Sequence, residues 1–134
     1  VIAELVRSKG QLNVDGGLAD DASIRTIDTA RRFPDFLSEV RNDRRLHSIL
    51  ADDLTLPLGQ LPSEVDLLFV DTNHTYRQVS GEWERFKPLL AKGAIVLFDD
   101  IHLNADMERF WEELHEQKLD TGSLYHQSGL GLVV

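Results

Sequence analysis

Apolar positions fall into two alternating kinds of run along this 134-residue chain. One kind is short and β-branched, the other recurs at helical spacing. Ile24-Arg-Thr-Ile-Asp28 is a strand-like run that ends on an acid. Phe33, Phe36, Leu37 and Val40 then recur at i, i+3, i+4 and i+7, one face of a helix. Leu46-His-Ser-Ile-Leu50 reads as a second strand and is followed by Asp52-Asp53. Leu56-Pro57 and Leu61-Pro62 punctuate a loop. Val65-Asp-Leu-Leu-Phe-Val70 is the clearest strand, and its near-continuous apolar run reads as burial on both faces. Tyr76, Val79, Trp83, Phe86 and Leu90 are spaced 3, 4, 3 and 4 apart, the stripe of one long helix closed by Lys92-Gly93. Ala94-Ile-Val-Leu-Phe98 is another apolar strand and runs into Asp99-Asp100. Met107, Phe110, Trp111 and Leu114 mark a further helical face, and Leu124-Tyr125 and Leu130–Val134 read as two closing strands.

Strand and helix alternation of this kind predicts an α/β fold, Rossmann-like, with a mostly parallel sheet and helices on both faces. The closing pair is joined too tightly for a parallel crossover, so the last strand is expected to be antiparallel. The front of the chain fits less well. Ile2, Leu5 and Val6 suggest a helix ending at Lys9-Gly10, and Asp15-Gly16-Gly17 is a turn signal. A sheet that opens on a helix is expected to lack its first strand. Residues 1–134 are thus expected to form a single α/β domain, complete or a fragment.

Composition narrows the classes of function. Fourteen Lys and Arg against 23 Asp and Glu give a net charge of −9. Such a chain repels phosphate backbones and anionic lipid surfaces, so neither nucleic acid nor membrane is expected as a partner. No cysteine is present, which removes disulfides, thiolate metal sites and a Cys nucleophile. No apolar run approaches the roughly 20 residues of a membrane span, and no leader pattern opens the chain, so a cytoplasmic location is expected.

Acids close the expected strands: Asp28, Asp71 and Asp99-Asp100, with Asp52-Asp53 following another. In an open α/β sheet the ligand crevice lies outside the carboxyl ends of the strands, so these acids should gather on one rim. Asp is also common in turns and at helix N-caps, which is the alternative for each one taken singly. Asp28 can accept from ribose hydroxyls and Asp52 from an adenine amino group. His74 follows Asp71-Thr-Asn in the loop where catalytic groups sit, and its imidazole suits proton abstraction near neutrality. The alternative there is that Asn73 or Thr75 caps the next helix and His74 is an exposed loop residue. Asp71, Asp99 and Asp100 form an oxygen-rich set fit for Mg²⁺. His115 sits among Glu112, Glu113 and Glu116 on a solvated face, and Trp83 and Trp111 lie on core stripes. No G-x-S-x-G, Walker or H-E-x-x-H motif is present.

Asp66-Leu-Leu-Phe-Val-Asp71, His74-Thr-Tyr76, Val79, Trp83, Leu89-Leu90, Lys92-Gly93, Ile95-Val96 and Asp99-Asp100 together resemble the class I S-adenosylmethionine-dependent methyltransferases. The resembling branch is the small-molecule O-methyltransferase-like one. Phe110-Trp111 and Gly129-Leu-Gly131-Leu-Val133 are similar to its tail, and the resemblance spans about residues 24–134. It implies a seven-stranded sheet with an antiparallel last strand. It implies that Asp28 holds the cofactor ribose and Asp52 the adenine, with Asp71 beside them. It further implies that Asp71, Asp99 and Asp100 match the metal ligands of the catechol O-methyltransferase-like members. His74 stands where those members carry a catalytic lysine. The branch's first strand and glycine-rich loop would precede Val1, Thr72 stands where Gly is usual, and Ala94 replaces a second Gly.

The leading expectation is therefore an enzyme that methylates a hydroxyl of a small-molecule acceptor with S-adenosylmethionine, either with Mg²⁺ on Asp71, Asp99 and Asp100 and His74 taking the proton, or without metal and with His74 alone as base; homo-oligomer formation is left open. The rival is a non-catalytic α/β binding or interaction module derived from the same fold. A carboxylate-metal hydrolase on a similar sheet is a third option, disfavoured by the helix and tail motifs.

Overall fold

The computed structural model describes residues 2–7, 23–28, 44–122 and 127–134. Seven strands and two α-helices follow one another as β1 (Ile2–Arg7), β2 (Ser23–Asp28), β3 (Leu46–Leu50), β4 (Val65–Asp71), α1 (Tyr76–Phe86), β5 (Leu90–Asp99), α2 (Ala105–Glu113), β6 (Lys118–Asp120) and β7 (Leu130–Val133). They form one sheet in the order β3-β2-β1-β4-β5-β7-β6. β2 pairs parallel with β3 and β4 parallel with β5, while β1 is antiparallel to both β2 and β4. β7 is antiparallel to β5 and to β6. Five strands therefore share one direction, and β1 and β7 oppose it. This is the expected Rossmann-like α/β class with its antiparallel last strand.

The first segment departs from expectation. Ile2–Arg7 is a strand, not a helix. Its apolar residues match a helical spacing, but a segment so short has little helical stability of its own. Between β2 and β4 it instead pairs along both edges, Ala3–Arg7 against Ile27–Ser23 and Ile2–Val6 against Asp71–Leu67. Without it, two strands would leave their backbone donors and acceptors unpaired. Among the described residues, the antiparallel β1 holds the place between β2 and β4.

The helix expected over Tyr76–Leu90 ends sooner. α1 stops at Phe86, and Lys87–Leu89 forms a single 3₁₀ turn containing Pro88. Proline has no N–H to continue the ladder. Leu90 already belongs to β5, where it pairs with Val65, and the next partners are Leu67 and Ile95. The extra residues on β5 form a bulge at Gly93, whose φ of 81° requires glycine. Lys92-Gly93 thus makes a strand irregularity and does not close the helix.

Burial along β4 alternates instead of covering both faces. Val65, Leu68 and Val70 are buried, while Leu67 and Phe69 are only half-buried. The reason is that both described helices cover one face. Val79, Trp83 and Phe86 of α1 and Met107, Phe110 and Trp111 of α2 pack with Leu68, Val70, Val96 and Phe98 in the core. Phe98 sits edge-on between the rings of Trp83 and Phe110, with centroids 5.7 and 5.1 Å away. The helix expected over Phe33–Val40 lies outside the described residues. Both tryptophans are core residues, as their spacing predicts.

The closing hairpin is formed by β6 and β7, so its first strand is Lys118–Asp120; Leu124-Tyr125 lie outside the described residues. Gly131 lets β7 pass under Trp111, since a Cβ there would lie 2.6 Å from Trp111 Cζ3. No described helix is long and apolar enough to cross a membrane.

Candidate functional site

The shared direction of β2 to β5 brings their carboxyl ends to one rim. Asp28, Asp71 and Asp99 are the last residues of β2, β4 and β5, and Asp52-Asp53 follow β3 by two residues. The rim is therefore acidic, as the strand endings predict. Asp28 pairs in register with Leu50; its side chain lies outside the description.

His74 stands in a loop that is pinned on both sides. Thr75 caps α1, its side chain accepting from Gln78 N, and its own N–H donates to the Asn73 carbonyl. The His74 carbonyl accepts from Asn104 Nδ2 at 2.9 Å, and Tyr76 N donates to Asp106 Oδ2 at 3.0 Å. Asn104 is itself the N-cap of α2, accepting from Met107 N. Two helix N-termini thus fix the loop. Thr75 takes the capping role, and His74 is half-buried, not a free loop residue.

The imidazole lies among carboxylates. His74 Nε2 is 3.1 Å from Asp100 Oδ2 and 3.8 Å from Asp71 Oδ1. It is a buried nitrogen with no hydrogen-bond partner. Asp100 carries a positive φ of 58°, an uncommon conformation outside glycine that Asp tolerates better than most residues. The turn it opens is held by Leu103 N to the Asp100 carbonyl and by His102 N to the Ser128 carbonyl. Strain at a residue aimed into a site is a frequent mark of function.

Asp71, Asp99 and Asp100 do not come together as a three-ligand set. Among the described residues, no group of three or more His, Asp and Glu is arranged to hold a metal ion. Asp71 and Asp100 face the imidazole instead.

Asp52 has a local structural job. Its Oδ1 accepts from Leu54 N at 2.8 Å, and its carbonyl accepts from Thr55 and Leu56 N. Its neighbour Asp53 is buried and points the other way. Asp53 Oδ1 accepts from Gln78 Nε2 at 2.8 Å, and the same amide donates to Glu82 Oε1 at 2.6 Å. Thr72 Oγ1 donates to Glu82 Oε2 at 2.7 Å. Glu82 is fully buried, at 0% exposure. Burial is the main cause that pushes its pKa up to about 8, helped by a hydrogen bond with Asp53; the Thr72 hydroxyl opposes the shift. Asp53 Oδ2, buried and otherwise without a partner, is satisfied if this pair holds one proton. Sequence reasoning missed Glu82. The available signal was its place three residues after Val79 and four before Phe86, inside an apolar stripe.

The remaining histidines lie elsewhere. His47 and His115 are exposed, and His102 Nε2 pairs with Asp120 Oδ2 at 2.8 Å on the far side of the β5–α2 turn. His126 lies outside the described residues.

A mostly parallel sheet with an acidic carboxyl rim and an imidazole beside its central strand defines a Rossmann-like α/β class of domain. The chain belongs to a methyltransferase family: the family model described as "Methyltransferase domain" matches residues 1–101. A crystal structure of a Corynebacterium glutamicum protein, from the Northeast Structural Genomics Consortium, is similar in fold, with a TM-score of 0.68 over 90% of this chain at 17% identity. This chain spans 64% of that protein's length. No curated protein matches the sequence.

Proposed function

We propose that the protein is an S-adenosylmethionine-dependent methyltransferase that acts on a hydroxyl group of a small molecule, with His74 as general base. The observation that supports this reading is His74 Nε2, without a hydrogen-bond partner and held between Asp100 and Asp71 on the carboxyl rim of a methyltransferase-family sheet. The acids of that rim are hydrogen-bond acceptors, which suits the hydroxyl and amino donors of an adenosyl group. Asp28 and Asp52 are the residues proposed to hold it, with Asp71 beside the reacting end.

When bound, the cofactor supplies an electrophilic methyl group on a sulfonium. The chain's part is alignment and proton removal. The His74 ring turns out from between the carboxylates and its Nε2 would take the proton of the acceptor hydroxyl, whose oxygen would gain the methyl group as the carbon–sulfur bond breaks and the neutral thioether leaves. The ring then carries a positive charge, which Asp100 and Asp71 face. Asn104 and Thr75 keep the loop still, so the nitrogen is not lost to rotation of the backbone. Asp71 and Asp100 face the imidazole.

A second reading, a non-catalytic module of the same fold, has one observation in its favour. β1 runs opposite to β4, so its carboxyl end lies at the rim away from Asp71 and Asp99. The experiment that separates the readings is titration calorimetry with S-adenosylmethionine, followed by assay of S-adenosylhomocysteine release with a panel of phenols and alcohols. The enzyme reading expects binding and acceptor-dependent release. Absence of binding would overturn it and leave the module.

A further inference from the structure

We propose that Glu82 is a positioning residue, a buried acid that ties the loop after β3 to the loop after β4 and so sets the spacing between the cofactor side of the site and its base. This rests on the methyltransferase reading above, and it concerns a group outside the proton-transfer step.

Two other elements and a neighbour on its own helix converge on the one carboxyl. Asp53 reaches it from the loop after β3, Thr72 from the end of β4, and Gln78 from within α1. Asp53 adjoins Asp52, proposed to hold adenine. Thr72 adjoins Asp71 and precedes His74 by two residues. A displacement at Glu82 is therefore passed to both halves of the site through short covalent links. The charged group that faces Glu82 is Asp53, and the other partners, Thr72 and Gln78, are neutral. Two carboxyls in contact and out of water cannot both ionise cheaply, so one proton is retained. That proton joins the two carboxyls directly, beside the Gln78 amide that also bridges them. If it is lost, Asp53 and Glu82 repel, and the clamp opens although Thr72 and Gln78 can still donate.

A glutamine at this place keeps the shape, offers an N–H to Asp53 and an oxygen to a donor, and cannot ionise. An alanine leaves Asp53, Thr72 and Gln78 facing a void. The arrangement therefore acts as a clamp that an alkaline pH releases in the native chain and that Glu82→Gln makes permanent.

The test uses the full chain with the side-chain carboxyls labelled with ¹³C. NMR titration of Glu82 should show a protonated carboxyl at pH 7 that ionises on the alkaline side. S-adenosylmethionine affinity should fall as the same transition is crossed in the wild type and stay level in Glu82→Gln. Glu82→Ala should weaken affinity about 10-fold or more at pH 7, in line with buried polar partners left unmatched. An ordinary acidic titration of Glu82, or identical pH profiles in wild type and Glu82→Gln, would overturn the proposal. If the wild type binds no S-adenosylmethionine at any pH, the functional reading fails, while the carboxyl titration still decides whether the clamp proton exists.

Discussion

His74 Nε2 lies 3.1 Å from Asp100 Oδ2, yet the nitrogen has no hydrogen-bond partner. Proximity without a directed bond suits a base that must turn toward a third molecule. The carboxylate is close enough to face the charge the ring acquires, and it does not lock the nitrogen against substrate. Asp100→Asn should leave the fold intact and lower turnover roughly 10-fold, about 1.4 kcal/mol of the barrier. Steady-state kinetics checks this. Turnover equal to wild type would mean the carboxylate plays no part in the proton transfer.

Cofactor affinity should separate Asp28 from Asp52. Asp28→Ala should weaken S-adenosylmethionine binding by about 1–3 kcal/mol, the cost of leaving ribose hydroxyls unpaired. Asp52→Asn keeps an oxygen for Leu54 N and should cost less. Calorimetry on the two variants reads the difference directly; an unchanged affinity in Asp28→Ala would reduce that residue to a strand terminus.

Stability should fall as pH rises across the neutral range. Glu82 is raised from an unfolded value of 4.5 to about 8 in the native chain. Between those values the native state binds more protons than the unfolded one, so the slope of unfolding free energy against pH is negative. Above the upper value the loss is complete and the contribution levels off. The depressed carboxyls work at lower pH with the opposite sign. Glu113 is lowered by the Tyr76 hydroxyl, and Asp120 by the Gly122 backbone N–H, and both lose their contribution only as pH falls. Melting temperatures of wild type and Glu82→Gln from pH 5 to pH 9 should therefore diverge, with the variant flatter. Parallel curves would contradict the raised Glu82.

Chelation should leave turnover and melting temperature unchanged, because Asp71 and Asp100 serve the imidazole. A drop in both on adding a chelator, restored by Mg²⁺, would show that these carboxylates rearrange around an ion.

Gly131→Val should lower the melting temperature. A Cβ there would sit 2.6 Å from Trp111 Cζ3 and 3.0 Å from Ile101 Cγ2, so the core must shift at a cost of about 1–3 kcal/mol. Thermal unfolding measures it, and an unaltered transition would mean that β7 lifts away from α2 without penalty.

Much of this was legible in the chain. The strands at Ile24–Asp28, Leu46–Leu50, Val65–Val70 and Ala94–Phe98 follow from apolar runs closed by acids, and the acidic rim follows from their order. The stripes of α1 and α2 place Trp83 and Trp111 correctly in the core. Ile2–Arg7 is ambiguous in sequence because six residues cannot distinguish a helical from an extended pattern; only the edges of β2 and β4 decide it. The end of α1 is not visible in the apolar spacing, which continues to Leu90, whereas Pro88 breaks the hydrogen-bond ladder first. Within the site, the position of His74 was visible, but its carboxylate contacts depend on the turn at Asp100. Glu82 was hidden by its charge: an acid in a helix is ordinarily solvated, and only the approach of Asp53 and Thr72 makes its burial tolerable.

The central claim is methyl transfer that depends on His74. Its most direct test is single-turnover release of S-adenosylhomocysteine by wild type and His74→Ala, at saturating cofactor and with the best acceptor from the panel. The account predicts release by the wild type and a rate lower by roughly 10²–10⁴-fold in the variant, with cofactor affinity retained. Equal rates in the two proteins would contradict it.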